Sequence, residues 1–66
     1  MSNHKTIFYG TKSTQDNQLE VFRNFTNEIS ICISVDATSY PSVITLDKAT
    51  AIKLSRVLKS EISKIQ

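Results

Sequence analysis

Apolar residues fall at every second position in Glu28 to Val35 (EISICISV). Ile29, Ile31, Ile33 and Val35 share one side, and Ser30, Cys32 and Ser34 share the other. Four β-branched residues at period two specify a half-buried strand. Gln18 to Arg23 (QLEVFR) alternates less regularly, with Leu19 and Val21 on one side and Glu20 and Phe22 on the other. Lys5 to Tyr9 (KTIFY) is β-branched and aromatic and ends at Gly10, the one glycine of the chain, which predicts a first strand. Val43 to Leu46 predicts a fourth. The connections are polar: Thr11 to Asn17 has no period and predicts a flexible link, and Asn24 to Asn27 (NFTN) predicts a tight hairpin. Asp36 to Ser42 predicts a loop, in which Pro41 excludes a central strand and biases Tyr40 toward extended geometry. The pattern leaves the isomer of the Tyr40–Pro41 bond open.

After Leu46 the period changes. Asp47 has the chemistry of an N-cap: its carboxylate accepts from a first-turn amide and suits the positive end of the helix dipole. Leu46 and Ala51 are spaced for a hydrophobic staple. At about 100° per residue, Ala51, Leu54, Leu58, Ile62 and Ile65 form one stripe, flanked by Val57. Lys48, Lys53, Arg56, Lys59, Ser60, Ser63 and Lys64 take the other side, with Ile52 as an apolar exception among them.

These elements predict an α+β fold, a four-stranded antiparallel β-meander followed by one C-terminal amphipathic α-helix packed on one sheet face. The expected organisation is a single domain over 1–66, with a disordered tail at 1–4, sheet over 5–46 and helix over 47–65. The expected inner face is Ile7, Tyr9, Leu19, Val21, Ile29, Ile31, Ile33, Val35, Ile44 and Leu46. The expected outer face is Phe8, Glu20, Phe22, Asn24, Ser30, Cys32, Ser34, Val43 and Thr45.

Length sharpens this picture. A chain of 66 residues beginning at Met1 reads as a complete small protein with a marginal core. Cys32 is the only cysteine, so no internal disulfide supplements that core, and His4 and Cys32 are too few soft ligands for a zinc site. Self-association is the remaining common supplement, and a homodimer is expected. There is no apolar run of the roughly 18 residues a membrane span needs, and no signal-peptide core in MSNHKTIFYG. The expectation is a cytoplasmic protein with no membrane partner.

Charge is divided along the chain. From Asp47 onward Lys48, Lys53, Arg56, Lys59 and Lys64 face Asp47 and Glu61, a net +3. Before it Lys5, Lys12 and Arg23 face Asp16, Glu20, Glu28 and Asp36, a net −1. Catalytic chemistry is absent from the pattern. A nucleophile–base pair would have to join Cys32 or a serine to His4 in the tail. The four early acids sit in or beside turns, and one glycine makes no phosphate-cradling loop. The chain reads as a non-enzyme without a cofactor. Two binding surfaces remain. On the outer face, Phe8 and Phe22 with Lys5, Lys12 and Arg23 have the residue types that stack bases and pair phosphates of single-stranded DNA or RNA. On the helix, Lys48, Ile52, Arg56 and Lys59 form an alternative surface for a protein partner.

The order of elements, and Val43 to Ile62 (VITLDKATAIKLSRVLKSEI) in particular, resembles the positive cofactor four family of single-stranded-DNA-binding coactivators and its small bacterial and phage relatives. That family likewise passes from a final strand through a capped turn into its helix. The resemblance implies a homodimer built through the helices, with the sheets forming a DNA-binding surface. The alternative expectation is a small phage- or plasmid-type regulatory protein that binds a host protein.

Overall fold

The computed structural model describes residues 5–36 and 40–66. The expected tail over 1–4 and the middle of the 36–42 loop lie outside the described residues. The architecture is the expected α+β one. Four antiparallel strands form one open sheet in the order β1-β2-β3-β4, and one C-terminal helix packs on it. The strands are β1 (Thr6–Tyr9), β2 (Gln18–Arg23), β3 (Ile29–Ser34) and β4 (Ser42–Leu46), and the helix is α1 (Lys48–Ile62). No described peptide bond is cis, which fixes Tyr40–Pro41 as trans.

Register sets the two faces, because residues directly opposite each other in an antiparallel ladder project to the same side. One row runs Thr6, Val21, Ile31, Ile44 and another runs Phe8, Leu19, Ile33, Ser42. Arg23, Ile29 and Leu46 complete this inner face. The outer face carries Ile7, Glu20, Cys32 and Val43 in one row, Tyr9, Gln18 and Ser34 in another, and Phe22, Ser30 and Thr45 in a third. For β1 this reverses the expectation: Phe8 is inside, and Ile7 and Tyr9 are outside. The reason is physical. Ile7, Phe8 and Tyr9 are consecutive apolar residues, so their pattern has no parity of its own. Parity comes from the connection instead, where the Gly10 amide donates to the Asn17 carbonyl at 3.0 Å.

That connection is not the unstructured link its polarity suggests. Lys12–Thr14 forms a 3-10 turn, with Lys12 in the left-handed region at φ 56°. The turn folds back so closely that a Cβ at position 10 would clash with the Thr14 carbonyl, which is why glycine stands there. The hairpin between β2 and β3 is held by Asn24. Its Oδ1 accepts from the Thr26 amide (3.0 Å) and the Glu28 amide (3.0 Å), and Asn27 takes the left-handed position at φ 65°.

The helix begins as its sequence dictates. Asp47 is extended (ψ 172°), and its Oδ1 accepts from the Thr50 amide at 2.8 Å. Leu46 and Ala51, the staple pair, are both half-buried. The helix ends at Ile62, three residues short of the expected limit. Past it Lys64 and Ile65 donate to carbonyls three residues back, and Ser63 Oγ donates to the Ser60 carbonyl at 2.6 Å.

The helix meets the sheet through its first turns only. Lys48, Ala51, Ile52 and Ser55 border a cleft of about 300 Å³ against Arg23, Asn27, Glu28 and Ile29. Ile52 therefore belongs to the helix–sheet junction and is not the stray apolar residue its helical position suggests. Beyond Ser55 the stripe is uncovered, with Leu58 at 53 % exposure and Ile65 at 75 %. No described hydrophobic residue is buried. Among the described residues no helix is long and apolar enough to cross a membrane.

Two expectations follow. Gly10→Ala should lower unfolding stability by about 1–3 kcal/mol, because the turn must open to admit the methyl group. Lys12→Gly should raise it by about 0.5–1 kcal/mol, because it removes a left-handed penalty. Urea denaturation followed by circular dichroism measures both. The cap also gives a pH signature. The Thr50 hydroxyl first, and its amide second, hold the Asp47 carboxyl below its usual value of 3.8. A depressed folded-state pKa stabilises above the unfolded value and loses that contribution as pH falls through the folded one. The melting-temperature gap between the wild-type chain and Asp47→Ala should thus be full at neutral pH and close in acid below the usual carboxylate range. A gap independent of pH would remove the charged cap from the account.

Candidate nucleic-acid interface

The outer sheet face divides into a knit end and an open end. At the knit end Ser30 sits between Phe22 on β2 and Thr45 on β4, and at 4 % exposure it is the one buried residue among those described. A buried hydroxyl needs partners. Asn24 Nδ2 donates to Ser30 Oγ at 3.0 Å, and Thr45 Oγ1 lies 3.4 Å away. Asn24 thus fastens the hairpin with one end of its amide and the outer face with the other. Thr26 Oγ1 lies 2.8 Å from Asn24 Oδ1 and 2.9 Å from Glu28 Oε1, so its single proton serves one acceptor or the other.

Beside Ser30 the Phe22 ring is half-buried, and the Lys5 ammonium stands 4.9 Å from its centroid. This is cation–π distance, at which the ring quadrupole attracts the charge. The pairing follows from β1 running antiparallel to β2, which brings the start of one strand to the end of the other. Farther along the same face Tyr9 is 66 % exposed, and Gln18 donates to Glu20 at 3.1 Å. Ile7 and Val43 are also exposed there, while Cys32 is half-buried between Glu20 and Val43.

The five residues expected to bind nucleic acid do not share one face. Lys5 and Phe22 are together. Phe8 is on the inner face beside Leu19 and Ile33. Arg23 has the parity of Leu19 and Val21 and borders the helix–sheet cleft, because a strand residue cannot edge the face opposite its own. Lys12 is exposed in the 3-10 turn past the end of β1. Of the alternative set, Lys48 and Ile52 border the cleft, while Arg56 and Lys59 are exposed on the helix.

Two aromatic positions escaped sequence reading. Tyr9 takes the outer-face place expected for Phe8, and the closure of Gly10 on Asn17 is the signal that would have revealed it. Phe25 is fully exposed (100 %) in the hairpin that Asn24 fixes, whereas its sequence context marks only a turn.

Comparison with protein-family models, curated proteins and solved structures gives no match to this chain.

Asn24 is the most connected side chain of this surface. Asn24→Ala should cost about 1–3 kcal/mol, because it strips the buried Ser30 hydroxyl and two hairpin amides of their partner. Asn24→Ala combined with Ser30→Ala should cost less than the sum of the two single changes. Additive losses in chemical denaturation would show that the two side chains do not act together.

Proposed function

We propose that this protein is a non-enzymatic, cytoplasmic homodimer that binds single-stranded DNA or RNA on the outer face of its sheet. The observation that carries the reading is the Lys5 ammonium over the Phe22 ring, with the exposed Tyr9 on the same face. Bases stack on exposed rings whatever their sequence, and adjacent cations pair with the phosphates that link them. In this reading Phe22 and Tyr9 stack on bases and Lys5 neutralises a phosphate. Lys12, past the end of β1, meets the backbone farther along. Phe8 and Arg23 have no part in it, since neither is on this face. Glu20, also on the face, disfavours phosphate near its centre and confines it to the Lys5 edge.

Fluorescence anisotropy with a labelled oligonucleotide tests the reading. Stacking is worth about 1–3 kcal/mol per base, so Phe22→Ala with Lys5→Ala should weaken binding at least tenfold and flatten its salt dependence. Arg23→Gln should leave affinity within about twofold, since Arg23 contacts neither bases nor phosphates in this arrangement. No binding at low salt, or binding indifferent to the double change, would refute it.

The helix–sheet cleft favours a second reading, a small phage- or plasmid-type regulator that docks on a host protein. The cleft has apolar walls in Ile29, Ala51 and Ile52 and cations in Arg23 and Lys48, with Arg56 and Lys59 exposed on the helix beyond. Glu28 also borders it, leaving a net charge of +1 that suits an apolar side chain next to an acidic one. Recovery of a host protein that survives nuclease treatment and moderate salt, and that Ile52→Asp abolishes, would favour this reading. Phosphate contacts weaken steeply with salt, whereas an apolar contact does not.

A further inference from the structure

We infer that the helix of one copy lies across the inner sheet face of a second copy, so that each chain obtains its core from the other. The inference rests on the homodimer proposed above and names its interface.

Two apolar surfaces of the same chain lack a cover. The first is the end of the inner face far from the chain's own helix. There Phe8 (53 % exposed), Leu19 and Ile33 border a depression of about 330 Å³, and Ile44 is exposed nearby. The second is the helix beyond Ser55, where Leu58 and Ile62 continue the line of Ala51 and Ser55 that faces the cleft. The side of the helix that meets the sheet at its start thus still points sheetward at its end, but overhangs. A flat apolar sheet end and an overhanging apolar helix end complement each other, and a twofold axis satisfies both contacts at once.

Area agrees. The chain exposes 5893 Å², whereas a compact monomer of its 7.4 kDa would expose roughly 4,200 Å². The excess of about 1,700 Å² is what one partner contributes to an obligate homodimer interface. The radius of gyration is 13.4 Å against about 11 Å for a compact domain of this length. Without a buried hydrophobic residue among those described, and with this much surplus surface, the chain is half of a folding unit.

The test uses the full chain and no nucleic acid, so its outcome is independent of whether oligonucleotides bind. Light scattering should give twice the chain mass, and the melting temperature should rise across about a hundredfold range of concentration, as folding coupled to association requires. In a Cys32→Ser background, a chain carrying both Ile33→Cys and Ile62→Cys should oxidise to a covalent dimer on a denaturing gel. Four results would overturn the inference. The first is a single-chain mass with a concentration-independent melt. The second is an intrachain bridge, showing the helix folded onto its own sheet. The third is a dimer that Ile62→Cys alone links as readily as the double variant does, showing helix packed on helix. A single-cysteine Lys53→Cys chain, with its thiol on the polar side of the helix, should stay unlinked in the same conditions. If it links as readily, contact is random and the interface is not the one named.

Discussion

One residue separates the last strand from the helix. Leu46 ends β4, Lys48 begins α1, and Asp47 between them caps the helix. A connection this short leaves no chain with which to carry the helix back to the middle of the sheet. Its first turns must land on the nearest corner, beside Ile29 and Arg23, and its last turns must overhang. The flat outline of 34 × 34 × 19 Å, the shallow burial of the sheet and the bare stripe on the helix all descend from that junction. A loop of several residues would permit a closed monomer, but the sequence has none.

Most of the architecture was legible, because period two and period 3.6 are strong signals when one side of an element is apolar. β3 and the Asp47 cap are the clearest cases, each within a residue of its expected place. β1 was legible as a strand but not as a face. Three successive apolar residues fit either parity, and the choice was made by the connection from Gly10 to Asn17, whose geometry depends on Gly10 and a left-handed Lys12. A one-residue shift exchanges the faces of a whole strand. That shift moved Phe8 off the face that carries Phe22 and put Tyr9 on it, at the far end beside Gln18. Arg23 was misplaced for a simpler reason, since its own parity with Leu19 and Val21 already assigned it inward. The uncovered stripe was not legible either, because periodicity says which residues want cover and not which molecule provides it.

The outer face also differs in kind from what alternation implies. It contains the one buried side chain among those described, Ser30, at the centre of a polar set with Asn24 and Thr45. Local order at this end therefore comes from hydrogen bonds under a phenylalanine ring. A binding surface that is stiff before association loses less conformational entropy when it engages a ligand. The Lys5–Phe22 pair and the Asn24-held hairpin with its exposed Phe25 share this stiff end.

An open sheet in the order β1-β2-β3-β4 has two rims, and covering its faces does nothing for them. Each rim offers unpaired amides and carbonyls to any passing strand, which is the usual route to edge-to-edge aggregation. This chain keeps both rims short. β1 has four residues, with Lys5 at one end and the Gly10 turn at the other, so a docking strand gains few bonds. β4 has five residues, preceded by Pro41, which lacks an amide to offer, and followed at once by a helix that no strand can extend along. In a protein this small, with a surface this apolar, short rims leave the faces as the surfaces on which contacts between copies would close, and disfavour the rims, where they would propagate without end.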